Sequence, residues 1–288
     1  MNANVALETT VLSHGLPWPA NRALARDLDA IVQAEGARPR SVGIVDGRVS
    51  TDCTEAELDR FCQESKIEKV SLRNLPVVTA RGQMGATTVA ATIRLAYQAG
   101  IRVMATGGIG GVHGNAQGHP TPDESADLTE LGRCPVTAVC AGPKAILHLG
   151  ATRERLESFG VTVIGWQTDR MPAFYCGSSP YAVDARCDRV EELADIVAQR
   201  DVLGLPGAIL VTVPVPDAWA LPFDLVSEVT SRALADPRAA DLLPHEVTPY
   251  LLATVRDKLG ERALDANVAL LKENARIAAQ LAVALSRR

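Results

Sequence analysis

Short apolar segments alternate with longer amphipathic segments over residues 21–213. The apolar segments are rich in β-branched residues and bounded by Gly or Pro, a pattern typical of buried strands. They predict strands at 41–45, 101–105, 136–140, 161–166 and 209–213. The amphipathic segments predict helices at 21–33, 55–63, 88–98, 126–132, 152–158 and 190–199. This alternation indicates an α/β fold with a mostly parallel central sheet.

From residue 224 onward the pattern is helical only. Apolar residues in the last segment recur at intervals of four and three, a spacing that predicts one helix with a single buried seam. The seam consists of Leu264, Val268, Leu271, Ala275, Ala278, Ala282 and Leu285. With no internal repeat and no long linker, residues 1–288 are expected to form a single domain with a helical C-terminal region.

Composition narrows the range of functions. Apolar residues make up 47% and charged residues 22%, and the net charge is −5 without a polybasic run, so nucleic-acid binding is not expected. No apolar stretch is long enough for a membrane span, and residues 2–12 contain Glu8 and no basic leader, so neither a membrane partner nor a signal peptide is expected. The 6 cysteines are scattered without a C-x-x-C motif, as in reduced, cytoplasmic proteins.

A glycine-rich segment follows the predicted strand 101–105. It contains Thr106, Gly107 and Gly108 and continues through two further glycines to residue 111. Glycines let the backbone approach a ligand closely, and successive N–H groups can hold an anion. A tight turn between strand and helix is the alternative interpretation.

Three carboxylates and a serine crowd the start of the predicted helix 126–132. Ser125 or Asp123 is typical of an N-cap, and Glu124 and Asp127 would complement the helix dipole. The same oxygen ligands suit Mg²⁺ or Mn²⁺ bound together with a phosphate on the glycine segment. Both interpretations remain open from the residues alone.

Three further charged residues stand at positions unusual for solvated surface groups. Lys144 follows the predicted strand 136–140, at the strand end where α/β sheets bind ligands, and a half-buried amine there could attack a carbonyl carbon. Lys69 lies at another strand edge and could hold a phosphate. Glu8 interrupts an apolar run, where burial would raise the pKa of a carboxyl and favour a general acid, and an exposed residue of an edge strand is the alternative interpretation.

Together these segments resemble the pseudouridine-5′-phosphate glycosidases, a family that includes the glycosidase-like domain of indigoidine synthase A. The similarity extends from about residue 5 to residue 285. The matching stretches are 6–10, 13–17, 87–92, 105–113, 125–128, 165–175, 266–270 and 274–276.

The resemblance implies a three-layer α/β/α fold, a homotrimer and one Mn²⁺ per subunit. It implies that Lys144 is the nucleophile, Glu8 the proton donor and Asp123 the metal ligand. The remaining expected substrate contacts are Lys69, Val89, Thr106, Gly107, Gly108, Ser125, Ala126, Asp127 and Asn267, the last against the base. The expected partners are a small sugar phosphate and a heterocyclic base, as in hydrolysis of pseudouridine 5′-phosphate to uracil and ribose 5-phosphate.

The chain departs from the family pattern around the expected ligand site, at Gly114, Pro122, Glu124, Pro143 and Pro180. These departures leave open which base is used, and whether the enzyme breaks or forms the C–C glycosidic bond. A C-glycosynthase coupling ribose 5-phosphate to another heterocycle is therefore an alternative. A lysine-dependent aldolase and a non-catalytic sugar-phosphate-binding protein are the others.

Overall fold

The computed structural model of the protein describes residues 2–115, 117–240 and 244–288. The strands are β1 (Asn4–Glu8), β2 (Arg38–Val45), β3 (Arg48–Ser50), β4 (Glu68–Val70), β5 (Gly85–Thr87), β6 (Val103–Ala105), β7 (Val112–Gly114), β8 (Pro120–Glu124), β9 (Thr137–Cys140), β10 (Thr162–Trp166), β11 (Ala185–Cys187) and β12 (Ile209–Thr212). The helices are α1 (Ala20–Ala34), α2 (Glu55–Gln63), α3 (Leu75–Ala80), α4 (Val89–Gln98), α5 (Ala126–Arg133), α6 (Leu149–Ser158), α7 (Val190–Val202), α8 (Phe223–Leu234), α9 (Pro237–Ala240), α10 (Pro244–Leu259) and α11 (Glu261–Ser286). A short π-helix covers Val11–Gly15.

Among the residues described, ten strands form one sheet in the order β11–β10–β12–β9–β6–β1–β2–β5–β4, with β3 paired to β2. The pairs are parallel except for β2 with β3 and β2 with β5. β7 and β8 form a separate antiparallel hairpin. The predicted mostly parallel sheet is confirmed.

Two helical layers cover the opposite faces of the sheet. Alternate strand residues such as Val5, Leu7 and Val139 pack against α1, α7 and α11. Their neighbours, such as Ala6 and Ala138, pack against α4, α5 and α6. Because successive strand side chains point to opposite faces, a sheet buried on both sides needs apolar residues at every position. The three-layer α/β/α fold is confirmed.

The last helix is buried more completely than one seam predicts. Besides the expected seam, a second row is fully buried and consists of Leu270, Asn274, Ile277 and Leu281. α11 packs against both α1 and α7 and crosses β1, β6 and β9, so two of its faces contact protein. Contact on two faces is a property of this packing arrangement and was not apparent from the seam alone.

Each predicted strand and helix is present, and the differences lie at the ends. β2 begins three residues earlier than expected, because its backbone already pairs with β1 at Arg38. Backbone pairing does not depend on the polarity of the side chain, so the apolar pattern did not reveal this part of the strand. α6 begins before Thr152 because His148 Nδ1 accepts a hydrogen bond from the Ala151 N–H and caps the helix. The polar segment before α5 contains the hairpin, which polarity alone did not predict.

The carboxyl ends of the three central strands lie side by side. Leu7 is paired with Ala105, and Ala105 with Val139, so β1, β6 and β9 end at one level of the sheet. The glycine-rich segment follows the end of β6, and Lys144 follows the end of β9. Over the described residues, no helix combines the length and apolarity needed to cross a bilayer.

Candidate active site

Glu8 is the last residue of β1, beside the residue that follows β6. The Thr106 hydroxyl donates a hydrogen bond to Glu8 Oε1. Burial raises the pKa of the Glu8 carboxyl, and the Thr106 hydrogen bond and the positive charge of Lys144 act in the opposite direction. A carboxyl with a raised pKa keeps its proton to higher pH and can act as a general acid.

A network of threonine hydroxyls fixes the chain directly after Glu8. The Thr9 and Thr87 hydroxyls both donate to the Val42 carbonyl, at 2.8 and 2.7 Å. The Thr87 N–H donates to Thr9 Oγ1 at 3.0 Å, and the Thr10 hydroxyl donates to the Thr87 carbonyl at 2.7 Å. These bonds tie the ends of β1 and β5 to the interior of β2 at Val42 and thereby fix the backbone that carries Glu8.

The backbone of Lys144 is hydrogen-bonded to the glycine-rich segment. Its N–H donates to the Ile109 carbonyl at 3.1 Å, and the Ile109 N–H donates to the Gly142 carbonyl at 3.1 Å. Gly142 has φ +81°, and a Cβ there would stand 2.1 Å from the Pro172 carbonyl oxygen. Only glycine fits this turn, which brings the half-buried Lys144 side chain back over the end of the sheet.

A cleft of about 430 Å³ opens over these strand ends. Six of the residues expected to bind substrate or act on it line this cleft: Glu8, Lys69, Gly107, Gly108, Lys144 and Asn267. They come from five separate parts of the chain, so only the fold brings them together. A cleft that combines glycine backbone, two lysines and one carboxyl suits an anionic substrate with an electrophilic carbon.

Lys69 belongs to β4 at the edge of the sheet and faces the same cleft. Burial lowers the pKa of its amine, the positive charge of Lys144 lowers it further, and Glu8 raises it. Lys69 and Lys144 both act on the pKa of Glu8, and Glu8 and Lys144 both act on the pKa of Lys69, so the three charged groups lie within electrostatic range of one another. The predicted position of Lys69 at a strand edge is confirmed.

Asp127, in the first turn of α5, was expected to contact substrate but is not among the described residues that line the cleft. Its carboxylate is buried and accepts two backbone hydrogen bonds, from the Ala90 N–H at 2.9 Å and from the Gly110 N–H at 2.8 Å. It therefore joins the start of α4 to the glycine-rich segment. Its negative charge contributes to the raised pKa of Glu8.

Four other residues expected to contact substrate do not line the cleft in the described part of the chain. Thr106 is connected to the cleft by the hydrogen bond from its hydroxyl to Glu8. Val89 is buried at the start of α4. Ser125 is the N-cap of α5, where its hydroxyl accepts from the Asp127 N–H at 3.2 Å, and Ala126 is the exposed first residue of that helix. The capping interpretation of Ser125 is thus confirmed.

Asp123 is half-buried in β8, close enough to His113 for its charge to raise the pKa of the imidazole against the effect of burial, which lowers that pKa. The described residues contain no group of three or more His, Cys, Asp or Glu side chains arranged around a metal ion. Asp123 is the protein ligand that the family resemblance implies. This donor set fits Mn²⁺ or Mg²⁺, which keep several waters and take further oxygens from a substrate phosphate.

Several cleft residues had no role assigned from the sequence, among them His14, Phe174 and Tyr175. His14 lies in the π-helix, and its Nδ1 is 2.7 Å from the Ser13 hydroxyl. Phe174 and Tyr175 form an edge-to-face pair with ring centroids 4.7 Å apart. All three lie in stretches that match the family pattern, which is the signal that could have found them.

The comparison with known proteins agrees with this geometry. The family model described as "Indigoidine synthase A like protein" matches residues 2–284. The chain belongs to this family. Relatives that carry the name pseudouridine-5′-phosphate glycosidase include a protein of Symbiobacterium thermophilum, 47% identical over 283 residues, with 98% of this chain and 92% of that protein covered. The Escherichia coli K12 protein of the same name is 42% identical over 279 residues, covering 96% and 89%.

Two solved structures of the family share the fold. An indigoidine synthase A-like protein of Thermotoga maritima superposes with a TM-score of 0.90 at 36% identity, covering 99% of this chain and 93% of the other. A prealnumycin C-glycosynthase in complex with ribulose 5-phosphate also gives 0.90, at 33% identity, covering 98% and 91%. The proteins similar to this chain thus include one named for forming a C-glycosidic bond as well as proteins named as glycosidases.

Proposed function

We propose that the protein is a C-glycosidase that hydrolyses pseudouridine 5′-phosphate to uracil and ribose 5-phosphate. The observation that carries the proposal is the meeting of Glu8, with its raised carboxyl pKa, and Lys144 in one glycine-walled cleft. Relatives up to 47% identical and named pseudouridine-5′-phosphate glycosidases support the choice of substrate. A C–C glycosidic bond needs more than protonation of a leaving group, and a lysine amine supplies the missing chemistry.

The first step opens the sugar ring. Glu8 donates its proton to the ribose ring oxygen, the Lys144 amine forms a bond to C1′, and the bond between C1′ and the ring oxygen breaks. The sugar remains attached to uracil and is now also bound to the protein. Thr106 holds the Glu8 carboxyl in place, and the glycine-rich backbone holds the sugar phosphate.

The second step releases the base. The secondary ammonium at Lys144 first returns a proton to the Glu8 carboxylate. The freed nitrogen lone pair then forms a double bond to C1′, the C–C bond to uracil breaks, and the uracil carbon takes up the proton from Glu8. Water then hydrolyses the resulting iminium, which frees ribose 5-phosphate and restores the lysine. Asn267 of α11 lines the same cleft as Lys144 and would hydrogen-bond the base.

A bound Mn²⁺ would help to neutralise and orient the substrate phosphate. Asp123 is the residue that would hold it. The remaining ligands would be water and phosphate oxygens. Assembly as a homotrimer, also implied by the family resemblance, belongs to the proposal and is tested by light scattering.

The same chemistry run in reverse forms a C-glycosidic bond. This second candidate is favoured by the C-glycosynthase neighbour at 33% identity, whose structure contains ribulose 5-phosphate. The departures from the family pattern noted at Gly114, Pro122 and Pro143 lie close to Asp123 and Lys144 in the chain. They concern the surroundings of the site and leave Glu8 and Lys144 in place.

The deciding experiment follows uracil release from pseudouridine 5′-phosphate in the presence of Mn²⁺. We expect release by the wild type, and a borohydride-trapped pentose phosphate adduct on Lys144 by mass spectrometry. A Lys144→Arg variant is expected to give neither product nor adduct. Incubation of ribose 5-phosphate with uracil or other heterocycles tests the reverse direction. Absence of turnover in both directions, with no adduct, would overturn the proposal.

A further inference from the structure

An amide side chain of the last helix lies fully buried against the active-site segment. Asn274 of α11 has no exposed surface. Its Nδ2 donates to the Thr106 carbonyl at 2.8 Å and approaches the Gly107 carbonyl at 3.4 Å. Both carbonyls belong to the segment that leaves β6 and enters the cleft. The family resemblance implied no role for this residue.

The surrounding protein uses only the donor side of this amide. Asn274 Oδ1 is buried, and within the described residues it meets no donor. A buried polar group without a partner reduces stability, so an apolar side chain of similar size would be expected here if packing were the only requirement. The neighbouring positions in the same row, Leu270, Ile277 and Leu281, are apolar.

The donor side acts on Thr106, whose hydroxyl in turn acts on Glu8. The Thr106 N–H is held by the Val139 carbonyl at 3.0 Å, and Asn274 holds the Thr106 carbonyl on the other side of the residue. With both backbone groups fixed, the hydroxyl of Thr106 is directed at the Glu8 carboxyl. Asn274 thus lies two hydrogen bonds from the proposed proton donor.

The same helix carries a cleft residue. Asn267 stands seven positions before Asn274, about two helical turns, and lines the cleft. The hydrogen bond of Asn274 to Thr106 ties α11 to the segment that follows β6. It therefore links the helix that carries Asn267 directly to the wall of the cleft.

We propose that Asn274 is a positioning residue that holds Thr106 so that its hydroxyl stays on Glu8, and that keeps Asn267 in register with the cleft. This inference rests on the proposed function, because Glu8 matters only if it donates a proton. It assigns a role in catalysis to a side chain that does not touch the substrate. The role differs from simple packing in what it predicts for the pH profile.

The test compares Asn274→Leu, Thr106→Val and the double variant. Asn274→Leu is expected to lower kcat about tenfold or more while thermal unfolding changes little, since one unsatisfied acceptor replaces another. Losing the Thr106 hydrogen bond raises the pKa of Glu8 further, so the limb on which kcat falls with rising pH should move to higher pH in both single variants. The double variant should be no slower than the slower single variant.

Gln280→Leu is the matched control. Gln280 lies on the same helix and donates from Nε2 to Glu35 Oε2 at 3.1 Å, away from the cleft. We expect its kcat and pH profile to match the wild type. An Asn274→Leu variant with wild-type kcat and pH profile, or losses that add with those of Thr106→Val, would overturn the inference.

A second measurement separates this inference from the proposed function. Amide hydrogen exchange of residues 106–111 is expected to be faster in Asn274→Leu than in the wild type and unchanged in Gln280→Leu. If the wild type shows no turnover in either direction and no adduct, the proposed function fails and the exchange result alone decides whether Asn274 holds the segment. Unchanged exchange in Asn274→Leu would overturn the inference even in an active enzyme.

Discussion

The backbone N–H of Lys144 donates to the carbonyl of Ile109, so the proposed nucleophile and the glycine-rich segment are joined by a direct hydrogen bond of 3.1 Å. The two residues follow different strands, β9 and β6, which are paired in parallel. The relation depends on the turn at Gly142, because that turn returns the chain toward Ile109. The placement of the lysine is therefore sensitive to changes at a residue that has no side chain.

Gly142→Ala is expected to abolish most activity. Its φ of +81° disfavours alanine, and the added Cβ would stand 2.1 Å from the Pro172 carbonyl oxygen. Gly160→Ala is the control, since Gly160 has φ +68° but no atom within 4 Å of the added Cβ. The control should lose about 1–2 kcal/mol of stability from the left-handed backbone and keep its kcat. Denaturant unfolding measures the stability of each variant, and uracil release measures its kcat. Equal behaviour of the two variants would contradict the argument.

Glu8→Gln is expected to lower kcat about a hundredfold or more and to leave the protein at least as stable at neutral pH. Burial raises the pKa of Glu8 in the folded protein above its ordinary value of 4.5. The proton is therefore bound more tightly when folded, and the associated stability is lost as pH rises from about 4.5 through the folded pKa. A neutral glutamine avoids that loss. The pH dependence of the unfolding free energy, with and without the substitution, checks the sign.

Asp29→Asn provides the control for this prediction. Asp29 lies on α1 outside the cleft, and burial raises the pKa of its carboxyl to about 6. The substitution should also remove a loss of stability at neutral pH, and kcat should remain that of the wild type. An active Glu8→Gln enzyme would exclude Glu8 as the proton donor.

Asp127→Asn is expected to reduce both stability and activity. One of the two carboxylate oxygens becomes an NH₂ group that faces the N–H of Ala90 or of Gly110, and losing one such buried hydrogen bond costs about 1–3 kcal/mol. The glycine-rich segment loses part of its support, so the KM for the sugar phosphate should rise. Glu130→Gln weakens a buried ion pair with Arg94 on the same helical layer and should lower stability without changing KM. Matching KM values in the two variants would argue against the role of Asp127.

Removal of metal with a chelator is expected to lower activity, and Mn²⁺ should restore it. Asp123→Asn should raise the Mn²⁺ concentration needed for half-maximal activity by about tenfold or more. Glu124→Gln is the control, because that neighbouring carboxylate pairs with Arg155 at 2.8 Å. It should respond to Mn²⁺ as the wild type does. Full activity after exhaustive chelation would remove the metal from the proposal.

Much of the fold could be predicted from the sequence because burial on both faces leaves a direct pattern. Strands such as 209–213 are buried at every position and apolar except at Thr212, and α2 was predicted with the bounds that the structure has, Glu55–Gln63. The hairpin of β7 and β8 was missed because its residues are polar, and its pairing depends on a turn. The second buried row of α11, which contains Asn274, was missed because polar Asn274 interrupts the apolar pattern there.

The sequence alone determined the kinds of group available for catalysis. An acid in an apolar run, a lysine after a central strand and a glycine-rich segment after another were all visible, since each breaks a local pattern. Their chemistry follows from their type and from the hydrophobic surroundings that the run itself implies.

Only the tertiary structure decided which of these groups meet. Parallel pairing of β1, β6 and β9 brings Glu8, Thr106 and Lys144 together at the carboxyl ends of these central strands. Along the chain they are separated by up to 136 positions, from 8 to 144. Likewise, Asp127 and Asn274 could be recognised as supports of the glycine-rich segment only once their hydrogen-bond partners were known. The physical reason is that hydrogen bonds act over about 3 Å in space, whereas sequence patterns report only neighbours along the chain.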